Sequence, residues 1–429
     1  MLTAKDGSLF EPRDLWVVLF FLVVSIGYLR EPLLEGKSFA IDNTSRYLPW
    51  KESGSFDPSR QNNGGTDGTL TFYPRRYYSH KLLSRGEFPL WTPYLLGGLP
   101  FMADPHTAVW YPPNALFVFL GPDEALKALA CLQLFLAGVF MYFLLREWGL
   151  ARWAAMFGGV VFMFNPFFVT HFVNPTNVDA GVWLPLMMLL FDLALRKNFL
   201  FYAMLLSGAV ACTLLGGFPQ ISILAMYALG LYSLVRAAME WRARRAAFTS
   251  VQMFAVAEFS RHSARVKVDY SEFEAVFIQP ETLLMFAAPQ FFGPFTKNWY
   301  GLFARALAPE GAKSAFWQNS FLENNGYVGV LPLLLLVIGL YHARASPLMW
   351  TGAAIGALAL SMTMGAPIFK LAYHALPGFT FSRICRIVYL YGFGVAIVAS
   401  FGLHWLLVHR AETRRSPAFR CWRAPPSPR

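Results

Sequence analysis

Apolar runs of membrane-spanning length recur along the whole chain, and they narrow the architecture more than any other feature. The first lies near 15–29. Five follow in quick succession at 125–145, 153–173, 180–195, 199–216 and 221–238, and three more at 326–342, 347–364 and 387–408. A bilayer core about 30 Å thick is crossed by about 20 apolar residues of helix. The expected fold is an all-α polytopic membrane protein with about nine to ten transmembrane helices. These form a single transmembrane domain over 1–408, followed by a basic, proline-rich tail over 409–429 that is expected to be cytoplasmic and disordered.

Composition supports this class. Only 14% of the 429 residues are charged, against about 25% in soluble globular proteins. The net charge of +11 is therefore read as orienting charge and headgroup contact, not as a nucleic-acid surface. Cys131, Cys212, Cys385 and Cys421 show no CxxC spacing, so neither a zinc site nor a disulfide framework is expected. The first apolar run has no small-residue cleavage site after it and reads as a retained helix.

Basic residues collect at alternate turns: Arg146 and Arg152, then Arg196 and Lys197, then Arg236, Arg242, Arg244 and Arg245, then Arg344, and finally Arg410, Arg414 and Arg415. The side that carries them is read as cytoplasmic. The long segment 30–124 then faces outward, with the short turns 172–179 and 217–220 and a second outer loop at about 260–325. The alternation needs one more crossing between Arg245 and Gly326. The helical candidate there, 246–259, would rise only about 21 Å.

A segment as long as 30–124 exceeds what a connector requires. Its part from Asp67 to Asn114 combines carboxylates (Asp67, Glu87, Asp104), cations (Arg75, Arg76, Lys81, Arg85) and aromatics interleaved with proline (Tyr73, Trp91, Tyr94, Trp110, Tyr111). Pro74 suits the first turn of a helix. Tyr73, Tyr77 and Leu82 then fall near one face, with Arg75, Arg76, Ser79 and Arg85 elsewhere. That spacing predicts an interfacial amphipathic helix with its basic side toward headgroups. Guanidinium forks match phosphate oxygens, so Arg75 and Arg76 are candidate ligands for a lipid phosphate. Ordinary headgroup contact is the alternative. Trp91, Tyr94 and Tyr111 are candidate substrate contacts or interfacial anchors. Asp67, ahead of the basic cluster, should stay ionised beside it and could accept a proton as general base. It could equally cap the helix. Asp104, in a turn with His106, is the second catalytic candidate or a turn residue, and Asp42 is a further rival. His171, Asn177, Gln220 and Glu323 are polar residues expected at the same side as substrate contacts.

Several of these stretches together resemble a known family. They are Asp67-x5-Tyr73-Pro74, Arg85-Gly86-x-x-Pro89-Leu90-Trp91-x-Pro93-Tyr94, Gly97-Gly98-x-Pro100-Phe101-x-Ala103 and Tyr111-Pro112-x-Asn114. Downstream are Asn174-Pro175-x-Asn177, Trp183-Leu184-Pro185, Gly217-x-Pro219-Gln220, Glu258-x-x-Arg261, Glu323-x3-Tyr327 and Arg383-x-x-Arg386. The pattern resembles YfhO-type bacterial membrane proteins, which are grouped with the GT-C glycosyltransferases. Three features depart from it. Arg75 follows Pro74, Asp104-Pro105-His106 stands where a glutamine-bearing segment is usual, and the chain is short of a helix near 246–259.

The resemblance implies a GT-C-like enzyme of the bacterial cytoplasmic membrane. It would move a sugar from a polyprenyl-phosphate donor to an envelope polymer or lipid acceptor on the outer face. The resemblance places Asp67 as catalytic base. His106 and Asn114 join the polar residues named above as candidate substrate contacts. The resemblance calls for no cofactor and no metal. Rival readings are a transporter or flippase for a lipid-linked precursor, or a shortened, non-catalytic assembly subunit.

Overall fold

The computed structural model describes residues 11–37, 67–239 (except 96 and 173), 270, 277–278, 283–289, 326–376, 379 and 384–415. Glu323, the candidate helix at 246–259, most of the loop at 260–325 and the tail beyond 415 lie outside the described residues.

Among the described residues the protein is helical, with one two-residue strand pair. The helices include α1 (Leu15–Tyr28), α2 (Tyr73–Leu83), α3 (Pro122–Glu147), α4 (Arg152–Met163), α5 (Pro166–Thr170), α6 (Pro175–Gly181), α7 (Leu184–Arg196) and α8 (Phe199–Leu215). They continue with α9 (Pro219–Met239), α10 (Val330–His342), α11 (Pro347–Thr363), α12 (Pro367–Ala375) and α13 (Val388–Arg415). Among the described residues, five helical stretches are long and apolar enough to cross a membrane: Pro122–Glu147, Arg152–Thr170, Pro175–Arg196, Pro219–Met239 and Val388–Arg410. The bent pair α11–α12 makes up to six. This is an all-α protein with several membrane-length helices.

That count covers the described residues alone and stands below the nine to ten expected for the whole chain. α1, α8 and α10 have 14, 17 and 13 residues, which rise about 20 to 26 Å, short of a 30 Å core. Local signals bound α8 and α10. The Asn198 side chain accepts from Phe201 N at the start of α8, and Gly217, at φ 86°, follows its end. α10 begins after Gly329, at φ 99°. The outward turn expected at 172–179 is instead mostly helix. Pro175 occupies its first turn, where a missing N–H costs nothing, and the polar residues that hid it from an apolar scan are all buried.

From α3 through α9 the chain runs back and forth between two ends of the bundle. The described segment 67–121 sits at one end, which also holds the α5–α6 break, the Gly216–Gly217 turn and the start of α13. Tyr389 donates to Gly181 O at 2.6 Å there. At the opposite end, Ala151 N donates to His404 Nδ1 at 2.9 Å. α11 and α13 are antiparallel. A methyl group on Gly394 would stand 2.6 Å from Gly352 O and 2.7 Å from Gly356 Cα, so small residues let these backbones meet closely. The main core lies between α3, α4, α7, α9 and α13, with Phe21 of α1 inserted against it.

At the end opposite the 67–121 segment two charge networks close the bundle. Asp14 accepts from Tyr142 Oη at 2.5 Å and Arg152 Nε at 3.1 Å, and Glu11 takes Arg152 at 2.7 Å. The i, i+4 spacing of Asp192 and Arg196 predicts an ion pair between them. The partner of Asp192 is instead Arg236 of α9, at 2.7 Å, with Tyr232 and Trp148 donating to its other oxygen. Arg196 pairs with Glu147 at 3.2 Å. Asp192 faces the core, so its partner is the cation that the neighbouring helix buries beside it.

Candidate functional site

The segment 67–121 builds from α2 outward. Asp67 is exposed and precedes a wide helical turn, Gly68–Phe72, that runs directly into α2. Its side chain caps nothing. Pro74 stands in the first turn of α2, as its lack of an N–H favours. The helix does not lie with its basic side outward. Arg76 and Ser79 are its buried residues, while Tyr77 is exposed. The expected interfacial orientation is reversed at Arg76 because a carboxylate waits for it inside the bundle.

That carboxylate is Asp179 of α6. Arg76 is 1% exposed and Asp179 0%, and Nη2 stands 3.5 Å from Oδ2. Arg76 Nη1 donates to Thr107 O at 2.6 Å, and the guanidinium lies 5.3 Å from the Phe117 ring centroid. The other Asp179 oxygen accepts from Gln133 Nε2 at 2.5 Å. Tyr111, also buried, accepts from Trp183 Nε1 at 3.2 Å. One buried ion pair thus joins α2, the 105–117 stretch, α3 and α6. Burial pulls the Arg76 pKa below its ordinary value, with Asp179 and Tyr111 opposing the shift. Burial, reinforced by Asp179, pushes the Tyr111 hydroxyl well above its ordinary range, so it stays protonated.

Asp104 plays two parts at once. One oxygen accepts from His106 N at 3.0 Å, capping the turn Pro105–Thr107. The other takes Arg75 Nε at 2.8 Å, in a pair with each side chain 18% exposed. Arg75 also donates to Thr71 O at 2.9 Å. The His106 ring meets Phe72 at 5.7 Å and Phe218 at 5.6 Å between centroids. Phe218 follows Gly217, whose positive φ and close approach to Pro105 O leave no room for a side chain. On the same ring, at 4.6 Å, lies the guanidinium of Arg386, and Arg386 Nη1 donates to Gln220 Oε1 at 3.3 Å.

The structure therefore gathers Arg75, Asp104 and His106 with Gln220 and Arg386 around Phe218. It places Arg76, Tyr111 and Asn114 one layer deeper, where Asn114 Nδ2 donates to Ala108 O at 2.7 Å. His171 and Asn177 are buried at the α5–α6 break. His171 stacks on Phe167 at 4.2 Å, and neither amide atom of Asn177 has a partner. Asp67, Trp91 and Tyr94 are exposed and stand outside this gathering. Trp91–Thr92 pairs antiparallel with Leu99–Pro100, and Tyr78 donates to Trp91 O at 2.7 Å. Among the described residues, no group of three or more His, Cys, Asp or Glu side chains is placed to hold a metal ion.

Asp179 and Gln133 escaped sequence reasoning. A signal existed for Asp179, a carboxylate one residue ahead of an apolar run, since ionisable groups within such helices need a partner. Gln133 sits inside the apolar run of α3 with nothing nearby in sequence to mark it.

No protein-family description matches the chain, and no curated protein or solved structure matches it.

Proposed function

We propose that this protein is a GT-C-like glycosyltransferase of the bacterial cytoplasmic membrane, moving a sugar from a polyprenyl-phosphate donor to an envelope polymer or lipid. The observation that supports this reading most is the mounting of Asp67. Its exposed carboxylate leads a helix whose rotation is set by the buried Arg76–Asp179 pair. A reactive group carried on a rigid, internally anchored element suits catalysis better than one on a free connector.

In this mechanism Asp67 takes the proton from the acceptor hydroxyl as its oxygen bonds to the anomeric carbon. The bond from that carbon to the phosphate oxygen breaks, and polyprenyl phosphate leaves with the electron pair. Arg75, half-buried beside Asp104, is assigned to the leaving phosphate. Arg76 is already engaged by Asp179 and serves to position the helix. Trp91 and Tyr94 offer exposed ring faces to sugar or prenyl chain. The buried charges also fit surface chemistry better than passage through the bilayer. Asp179 and Asp192 stand four residues from the ends of their membrane-length stretch, about 6 Å along the axis, and not near its middle.

The test uses membranes containing the full chain, a radiolabelled polyprenyl-phosphate sugar and matched expression of wild type and Asp67→Asn. Label should reach envelope material with the wild type and fall by about 10²-fold or more in the variant, the usual scale for a lost general base. Equal transfer by both would move the base to Asp104. Absence of transfer by stably inserted wild type across a panel of lipid-linked sugars would overturn the glycosyltransferase reading.

A further inference from the structure

α12 breaks from α11 at 93°. Since α11 runs antiparallel to the membrane-length α13 through the Gly352, Gly356 and Gly394 contacts, a helix at right angles to it lies across the direction of the spans. The 17 residues of α11 rise about 26 Å, so the bend at Met364–Ala366 falls near one edge of a core about 30 Å thick. It is the same edge as the 67–121 segment, because α11 ends beside the start of α13. The nine residues of α12 would rise only about 14 Å and cannot complete a span.

Three stripes divide its surface. Phe369 and Ala372 are buried against the bundle. Ile368, Leu371 and Ala375, spaced i, i+3 and i+7, are exposed, with Leu371 at 67%. Lys370 and His374, spaced i and i+4, are exposed on the next stripe. Lys370 Nζ lies 5.6 Å from the Tyr270 ring centroid, and the His374 ring stacks on the same residue at 6.5 Å. An exposed apolar stripe flanked by a polar one that carries Lys370, on a helix held in the plane of the bilayer, is the pattern of an interfacial helix. Cations at that depth meet lipid phosphates. Exposed Phe88, Trp91, Tyr94, Trp110 and Phe119 lie on the segment at the same end of the molecule, which continues the boundary around the bundle.

We propose that α12 is an in-plane anchor seated at the headgroup–acyl boundary of the bilayer, with Ile368 and Leu371 among the acyl chains and Lys370 at the level of the phospholipid phosphates. This assignment is independent of the transferase reading and holds whether or not the protein moves sugars.

Site-directed spin labelling tests it on the full chain in vesicles of phosphatidylcholine and phosphatidylglycerol. Single labels are placed by Leu371→Cys, Ile368→Cys and Lys370→Cys in a background with the native cysteines replaced. Collision rates with oxygen and with a water-soluble nickel chelate give depth. Labels at 371 and 368 should lie about 5–10 Å below the phosphates, while the label at 370 should be nickel-accessible. Labels at 371 and 368 near the bilayer centre would make α12 part of a broken span. All three equally nickel-accessible would place it in water. Either result overturns the proposal, and two labels on the apolar stripe keep the reading if one variant fails to insert.

Discussion

Arg76 and Asp179, 103 positions apart in the chain, form a fully buried ion pair that fastens the helix following Asp67 to the membrane-length bundle. Neither group reaches solvent, so each depends on the other and on Thr107 O and Gln133 for its satisfaction.

Removing one partner leaves an uncompensated buried charge. Arg76→Ala or Asp179→Ala should each destabilise the protein by about 3–5 kcal/mol, whereas replacing both by apolar residues of similar volume should recover much of that loss. Thermal unfolding of the two single variants and of Arg76→Met with Asp179→Leu, in detergent, checks this. Equal losses in single and double variants would contradict the pairing.

The second buried pair gives a contrast between two arginines. Asp192→Ala removes the carboxylate that the buried Arg236 faces and should cost about 3–5 kcal/mol. Arg196→Ala removes only a partly exposed contact to Glu147 and should cost about 1 kcal/mol or less. Had Asp192 been held by Arg196 one turn along its helix, the arginine substitution would carry the larger penalty.

Asp14 supplies an acid-sensitive contact. Burial alone would raise its pKa, but donation from Tyr142, Glu11 N and Arg152 outweighs this and holds it below the usual aspartate value. Its contribution to stability is thus present above about pH 3.9 and is lost as pH falls through the lower folded-state value. The difference in unfolding temperature between wild type and Asp14→Asn should be full at pH 7 and narrow below about pH 4.

Where α11 and α13 touch, side-chain volume is excluded. Gly394→Leu would drive carbon atoms into Gly352 O and Gly356 and should destabilise by at least about 1–3 kcal/mol. A methyl group on Gly208 of α8 would meet no heavy atom within 4 Å. Gly208→Ala should therefore be tolerated, or raise stability by up to about 1 kcal/mol through helix propensity. Unfolding temperatures of the two variants separate close packing from a general effect of losing glycine.

Local chemistry made much of this architecture legible. The runs at 125–145, 199–216, 221–238 and 347–364 match α3, α8, α9 and α11 to within a few residues, and Pro74 marked the first turn of α2. Asp104 was legible as a turn residue, and it caps Pro105–Thr107. The helix over 175–181 was not, because Thr176, Asn177 and Asp179 read as a polar turn when their burial is unknown.

What the sequence determined by itself is the helical, membrane-length character of the chain. Apolar run length, proline position and turn residues act within a few positions of each other, and their physics needs no distant partner. Which charges lie inside was decided only by the tertiary structure. An arginine or aspartate can be buried only where another element brings a counter-charge to it. That partner stands 103 positions away for Arg76 and 44 for Asp192, beyond the reach of any local pattern.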